Sequence, residues 1–140
     1  MTIEYYWDGE NWLEVSKNEI SIRYYFNKKL HRNDGPAYIG FYEDGPIGLE
    51  QYYVNGLWHR KNNPAIVHYN YNGLIIKKIF YENNKMHRRD GPAIIRYFSN
   101  SSKFEEYCFK GLIFNPKYLP FELPIDSPEK EFMFNLIYGE

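Results

Sequence analysis

The heptapeptide at residues 31–37, HRNDGPA, returns as HRKNNPA from His59 and as HRRDGPA from His87, each time after 28 residues. A fixed period restricts this chain of 140 residues more than any other feature. Each block must adopt one supersecondary unit, and each unit must bury its apolar face against its neighbours. Residues 24–45, 52–73 and 80–101 stand in register. A degraded copy, EYCFKGLIFNP, follows with Gly111 placed 55 residues after Gly56 instead of 56, and YYWDGENW near the start resembles a partial leading unit. Terminal units of stacked arrays are commonly atypical because they end the stack.

Two turn signals alternate within each unit. Asp44-Gly45, Asn72-Gly73 and Asn100-Ser101 mark one place, and Asn27-Lys28, Asn55-Gly56 and Asn83-Asn84 the other. Such pairs supply the positive φ that tight hairpins require. The intervening segments are short and rich in Tyr, Ile, Val and Phe, as strands are. Aromatic residues make up 20% of the chain, which excludes a disordered sequence and favours half-buried strands. Each unit is therefore expected to be a β-hairpin or short meander. Alternation assigns Ala37, Ile39 and Phe41, with Ala65, Val67 and Tyr69 and with Ala93, Ile95 and Tyr97, to a buried face. It leaves Tyr38, Gly40 and Tyr42, with Ile66, His68 and Asn70, on the wetter one. Stacking should align Tyr25, Tyr53 and Tyr81 into a cross-strand ladder.

The expected architecture is mainly β: stacked antiparallel hairpins forming an elongated twisted sheet over residues 1–114, with units near 24–51, 52–79 and 80–107. A proline-rich arm and a capping helix complete the chain over residues 115–140. The stretch NPKYLPFELPIDSP carries four prolines and excludes ladder pairing. After it, Asp126 or Ser127 offers an N-cap, Pro128 an entry, Glu129 and Glu131 an acidic first turn, and Gly139 a stop. Phe132, Met133, Leu136 and Ile137 recur at helical spacing and are expected to cover one end or the open face of the sheet.

The strand-turn pattern YYVNGLWHR resembles the hairpin units of MORN-type proteins. The wider pattern NG-x-x-HR-x-DGPA resembles a MORN-like repeat variant found in many copies in proteins of large DNA viruses and some bacteria. The resemblance runs from about Tyr5 to Phe114 and implies stacked antiparallel hairpins used for protein contacts, membrane association or dimerisation. The glycine that follows the histidine in the shorter MORN unit is replaced here by Arg32, Arg60 and Arg88.

Four kinds of chemistry can be weighed against the repeat. Zinc would need three or four donors within about 2 Å of one ion, whereas equivalent residues of stacked hairpins stand roughly 10 Å apart, so no metal is expected. Arg32, Arg60, Arg88, Arg89 and Lys61 could line an anion site among stacking aromatics, although Asp34 and Asp90 interleave them and could pair with them or accept backbone N–H groups. No nucleophile stands beside a base, no phosphate loop is present, and Cys108 lies in a strand, so neither catalytic residues nor a cofactor is expected. A formal charge of −1 gives no reason to expect nucleic acid. A single cysteine, no leader pattern in MTIEYYWDGE and no long apolar run indicate an intracellular, cytoplasmic protein without a transmembrane segment.

The leading expectation is a non-enzymatic interaction module that binds a protein partner, or self-associates, through aromatic and basic side chains. His31, Arg32, Tyr53, Trp58, His59, Arg60, Tyr81, His87 and Arg88 are its candidate binding residues. Exposed Trp7 and Trp12 add residue types enriched at binding hot spots. The alternative is a small-ligand or nucleotide-binding, sequestering protein that uses the Arg/Tyr ladder.

Overall fold

The structure, a computed structural model, describes residues 2–43 and 45–139; Asp44, half of the first Asp-Gly turn signal, lies outside them. The leading hairpin joins β1 (Thr2–Trp7) to β2 (Trp12–Lys17), and β3 (Ser21–Phe26) with β4 (Lys29–Leu30) follows. The next block runs through β5 (Tyr38–Phe41), β6 (Ile47–Gln51), β7 (Tyr53–Val54) and β8 (Leu57–Trp58). It is repeated as β9 (Ile66–Tyr69), β10 (Ile75–Ile79), β11 (Tyr81–Glu82) and β12 (Lys85–Met86). The last block holds β13 (Ile94–Tyr97), β14 (Lys103–Phe109) and β15 (Leu112–Phe114).

The long strands lie side by side in one antiparallel sheet, in the order β1-β2-β3-β5-β6-β9-β10-β13-β14-β15 with β4 attached to β3, while β7–β8 and β11–β12 form separate two-stranded ribbons. β1 and β15 stand at opposite ends of that order, so the sheet is not a closed barrel. The chain is mainly antiparallel β, hairpin beside hairpin, with a C-terminal helix α1 (Pro128–Tyr138).

Each block is two unequal hairpins rather than one, and turn chemistry separates them. In the short ribbons both central residues take positive φ, at Asn27-Lys28, Asn55-Gly56, Asn83-Asn84 and Lys110-Gly111. That is the type I′ pattern, whose twist suits a two-residue connection. In the long hairpins β9–β10 and β13–β14 a single residue does so, Gly73 (φ 83°) and Ser101 (φ 68°). There the Asn70 N–H donates to the Leu74 carbonyl at 2.8 Å and the Gly73 N–H to the Asn70 carbonyl at 3.0 Å, a wider loop repeated at Phe98 and Ser102.

Periodic backbone hydrogen bonds join one block to the next. Tyr24, Tyr52 and Phe80 donate to the carbonyls of Ala37, Ala65 and Ala93, and those alanines donate to the carbonyls of Gln51, Ile79 and Glu106. The last partner comes one residue early, where the degraded fourth copy is one residue short. The offset is thus absorbed inside β14 without loss of the bond.

Ala37, Ala65 and Ala93 are fully buried and Val67 and Ile95 nearly so, as alternation requires. Ile66 is buried as well, on the opposite face. Burial therefore depends on position along the strand as much as on face. Residues beside the loops and ribbons are covered, whereas Tyr71, Leu74, Ile75 and Ile76 toward a hairpin tip are exposed. The expected Tyr25–Tyr53–Tyr81 ladder is corrected too. Tyr53 pairs with Trp58 inside its own ribbon, so a row must pass through both strands, and Trp58 lies between Tyr53 (6.1 Å) and Tyr81 (5.0 Å). Tyr25 faces Glu14 and Leu30 instead.

Helix α1 starts as its signals require, with Ser127 as N-cap accepting the Lys130 N–H and Pro128 in the first turn, and it ends at Gly139. Its buried face differs from the expectation. Phe132 (64% exposed), Leu136 (70%) and Ile137 face solvent, and Phe134 is fully buried with Phe109, Phe114 and Ile125. The side chains waiting at that end of the sheet are rings, and Phe134 meets them edge-on at 4.9 and 5.2 Å. The helix closes one end of the sheet and leaves its faces open. Among the described residues no helix is long and apolar enough to cross a membrane.

Candidate functional site

The three heptapeptide loops connect each short ribbon, or β4, to the next long strand, and their side chains perform the same tasks at each repeat. The histidine opens the loop with its N–H on the carbonyl of Tyr24, Tyr52 or Phe80. Its Nδ1 then accepts a backbone N–H from the following unit's turn: Asn55 to His31 at 3.0 Å, Asn83 to His59 at 3.0 Å, and Lys110 to His87 at 2.8 Å. Each imidazole thus ties two blocks together. His31 and His87 are buried, and the His87 ring packs at 4.8 Å from Phe109.

The arginine turns back over its own loop. Nη1 donates to the carbonyl of Pro36, Pro64 or Pro92, and the guanidinium lies over the ring of Tyr24 (4.2 Å), Tyr52 (3.8 Å) or Phe80 (4.2 Å). Such cation–π contacts contribute roughly 0.5–1 kcal/mol each at partly exposed sites. In the outer loops Nε also donates to Asp34 (2.7 Å) or Asp90 (2.9 Å), so these acids pair with arginine rather than accept backbone N–H groups. Partial burial would raise the Asp34 carboxyl, but the Tyr6 hydroxyl and the Arg32 guanidinium hold it below its ordinary range.

The glycine of the motif makes room for this arginine. A methyl at Gly91 would stand 2.9 Å from Cζ of Arg88, and one at Gly35 2.8 Å from Cζ of Arg32. Gly91→Ala is therefore expected to push Arg88 off the Phe80 ring at a cost of about 1 kcal/mol. Asn63→Ala, at the equivalent position of the middle loop, should change stability by less than about 0.5 kcal/mol. Urea unfolding of the two variants checks this contrast.

The middle loop departs from its neighbours because it carries Asn62-Asn63 in place of Asp-Gly. Asn62 takes φ 64°, so the backbone follows another path. Among the described residues Arg60 and Lys61 form no ion pair. Two clefts flank this loop. One of about 460 Å³ is lined by Arg32, Tyr52, His59, Arg60 and Lys61, and one of about 570 Å³ by Arg60, Lys61, Glu82, Arg88, Asp90 and Asp126.

The nine candidate residues are thus brought into one strip along the loops and short ribbons. Their polar groups are mostly engaged with the chain itself. Arg89 is occupied with the proline-rich arm, exchanging hydrogen bonds with Ile125 and contacting Glu131 at 3.2 Å. Cys108 is buried and donates to the Met86 carbonyl. Burial raises its thiol pKa, which keeps it protonated. Among the described residues no group of three His, Cys, Asp or Glu side chains could hold a metal ion.

Sequence reasoning missed Asp8. Its Oδ1 accepts the N–H groups of Glu10 and Asn11, and Oδ2 accepts that of Asn33 in the first heptapeptide loop. Its signal was the Asp8-Gly9 pair of the leading unit. At this end of the sheet the register puts Ile3, Tyr5 and Trp7 of β1 and Trp12 of β2 on one face, and all four are exposed, by 57, 74, 49 and 65%. No family model, curated protein or solved structure matches the chain.

Proposed function

We propose that the chain is a non-enzymatic, MORN-like interaction module that binds a protein partner or a second copy of itself inside the cell. The observation that carries this reading is the open end of the sheet. Four large apolar residues stand together in solvent there, and among the described residues β1 has a strand neighbour on one side only. Contiguous exposed apolar surface marks interaction sites, tryptophan and tyrosine dominate binding hot spots, and a free strand edge can accept an added strand.

Sedimentation velocity of the purified chain and affinity capture from the native host test this reading together. Trp7→Ala with Trp12→Ala is expected to weaken self-association or capture of a partner at least about tenfold. A variant that sediments like the parent and retains the same partner at the same affinity refutes it.

A second reading is favoured by one observation: Arg60 has lost the carboxylate that its counterparts keep and borders two clefts. On this reading the Arg/Tyr strip holds a small anion. Thermal shift with anionic ligands, and its loss in Arg60→Gln, would support it.

A further inference from the structure

The sheet carries a row of basic side chains that neither the loops nor the aromatic end accounts for. His68 of β9 stands opposite Lys77 of β10, and Lys77 stands opposite Arg96 of β13. Three basic side chains therefore face one another across three adjacent strands, and the Lys77 ammonium stands directly opposite the Arg96 guanidinium, a like-charge pair that is destabilising. None of them is in an ion pair among the described residues. Glu106, an acid on the same face of β14, stands opposite Ile94, and the residue opposite Arg96 is Phe104. Elsewhere the sheet sets charges against each other, with Lys17 3.3 Å from Glu4 and Lys103 3.3 Å from Glu105. Burial, and then Lys77 and Arg96, push the His68 pKa down, so the imidazole feels the row.

Two shallow grooves share His68. One of about 360 Å³ is lined by Tyr38, Gly40 and Leu49, and the other of about 440 Å³ by Lys77, Arg96 and Phe98. We infer that this row is a binding site for a linear polyphosphate, above all a triphosphate group. Two strand spacings separate His68 from Arg96, about 10 Å, which suits a chain of phosphates better than a single one. Arg96 offers a fork that matches phosphate oxygens in pairs, and Lys77 a compact charge between its two neighbours. Gly40 and Leu49 continue the row beyond His68 without charge, and the Tyr38 ring lies against Gly40.

A site of this kind trades stability for binding, and that trade is the test. Isothermal titration of the whole chain with inorganic tripolyphosphate and with ATP is expected to show binding of both. Equal affinities assign recognition to the phosphate chain alone, and tighter ATP adds the nucleoside. Lys77→Glu should weaken both at least about tenfold while raising the melting temperature of the free protein by roughly 2–5 °C, because repulsion by Arg96 becomes attraction. Arg96→Gln, a milder change, should weaken binding without unfolding the chain. Absence of binding to either probe overturns the inference. So does unchanged affinity in both variants, loss of binding in Arg60→Gln with retention in Lys77→Glu, or a preference for single-stranded oligonucleotides over both probes.

Discussion

Replacing Phe134 by alanine is expected to lower the unfolding free energy by about 3–5 kcal/mol, the range for removing a buried phenylalanine ring. The side chain is fully buried and meets Phe109, Phe114 and Tyr138 with ring centroids at 4.9, 5.2 and 5.1 Å. These rings close the end of the sheet at β15, where among the described residues no further hairpin follows to cover Phe109. The loss should also be local. In an array whose blocks touch mainly their neighbours, a weakened end unfolds before the rest. Trp7, Trp12 and Trp58 report on the other blocks, so in urea their fluorescence should change at a higher concentration than the helical circular dichroism does. Phe132→Ala, in the same helix but exposed, should cost less than about 0.5 kcal/mol. Equal losses in the two variants would mean that the helix does not bury the face described.

That contrast shows where the sequence stops being legible. The helix and its boundaries could be read, because Ser127, Pro128 and Gly139 act through backbone groups close in the chain. Its buried face could not. Phe132, Met133, Phe134, Leu136 and Ile137 surround much of the helix, so spacing alone admits more than one stripe, and the choice falls to rings of β14 and β15. The repeat was legible for the same local reason as the helix ends: Asn-Gly and its relatives declare each turn. Which turns close short ribbons and which close long hairpins was not, since the difference lies in whether one or two residues take positive φ. Within the candidate strip, the repeat places the three histidines at equivalent positions, and their tie to the following turn recurs with it. The arginine's position over Tyr24, Tyr52 or Phe80 does not, because the ring lies eight residues back and meets the loop only after the chain has turned. The row His68–Lys77–Arg96 needs the register of three strands, and the bulge between Ile75 and Lys77 shifts that register by one.

His87→Ala is expected to cost about 2–4 kcal/mol at neutral pH, by removing a buried ring from Phe109 and leaving the Lys110 N–H without its acceptor. His87→Asn should cost less, because an amide oxygen can replace Nδ1 as acceptor while the ring contact is still lost. The pH dependence separates the tie from simple packing. Nδ1 must be unprotonated to accept the Lys110 N–H. Burial lowers the His87 pKa, with Arg89 and Lys110 acting in the same direction and Glu82 against them. A base with a lowered native pKa binds protons more readily when unfolded, where histidine titrates near about 6.5. Its contribution to stability is therefore complete above that value and is lost progressively as the pH falls from there toward the native pKa. Urea midpoints of the parent should fall between about pH 7 and pH 5 more steeply than those of either variant, in which the group is gone. Parallel pH profiles for parent and variants would show that His87 fills space without holding the two blocks together through its neutral ring.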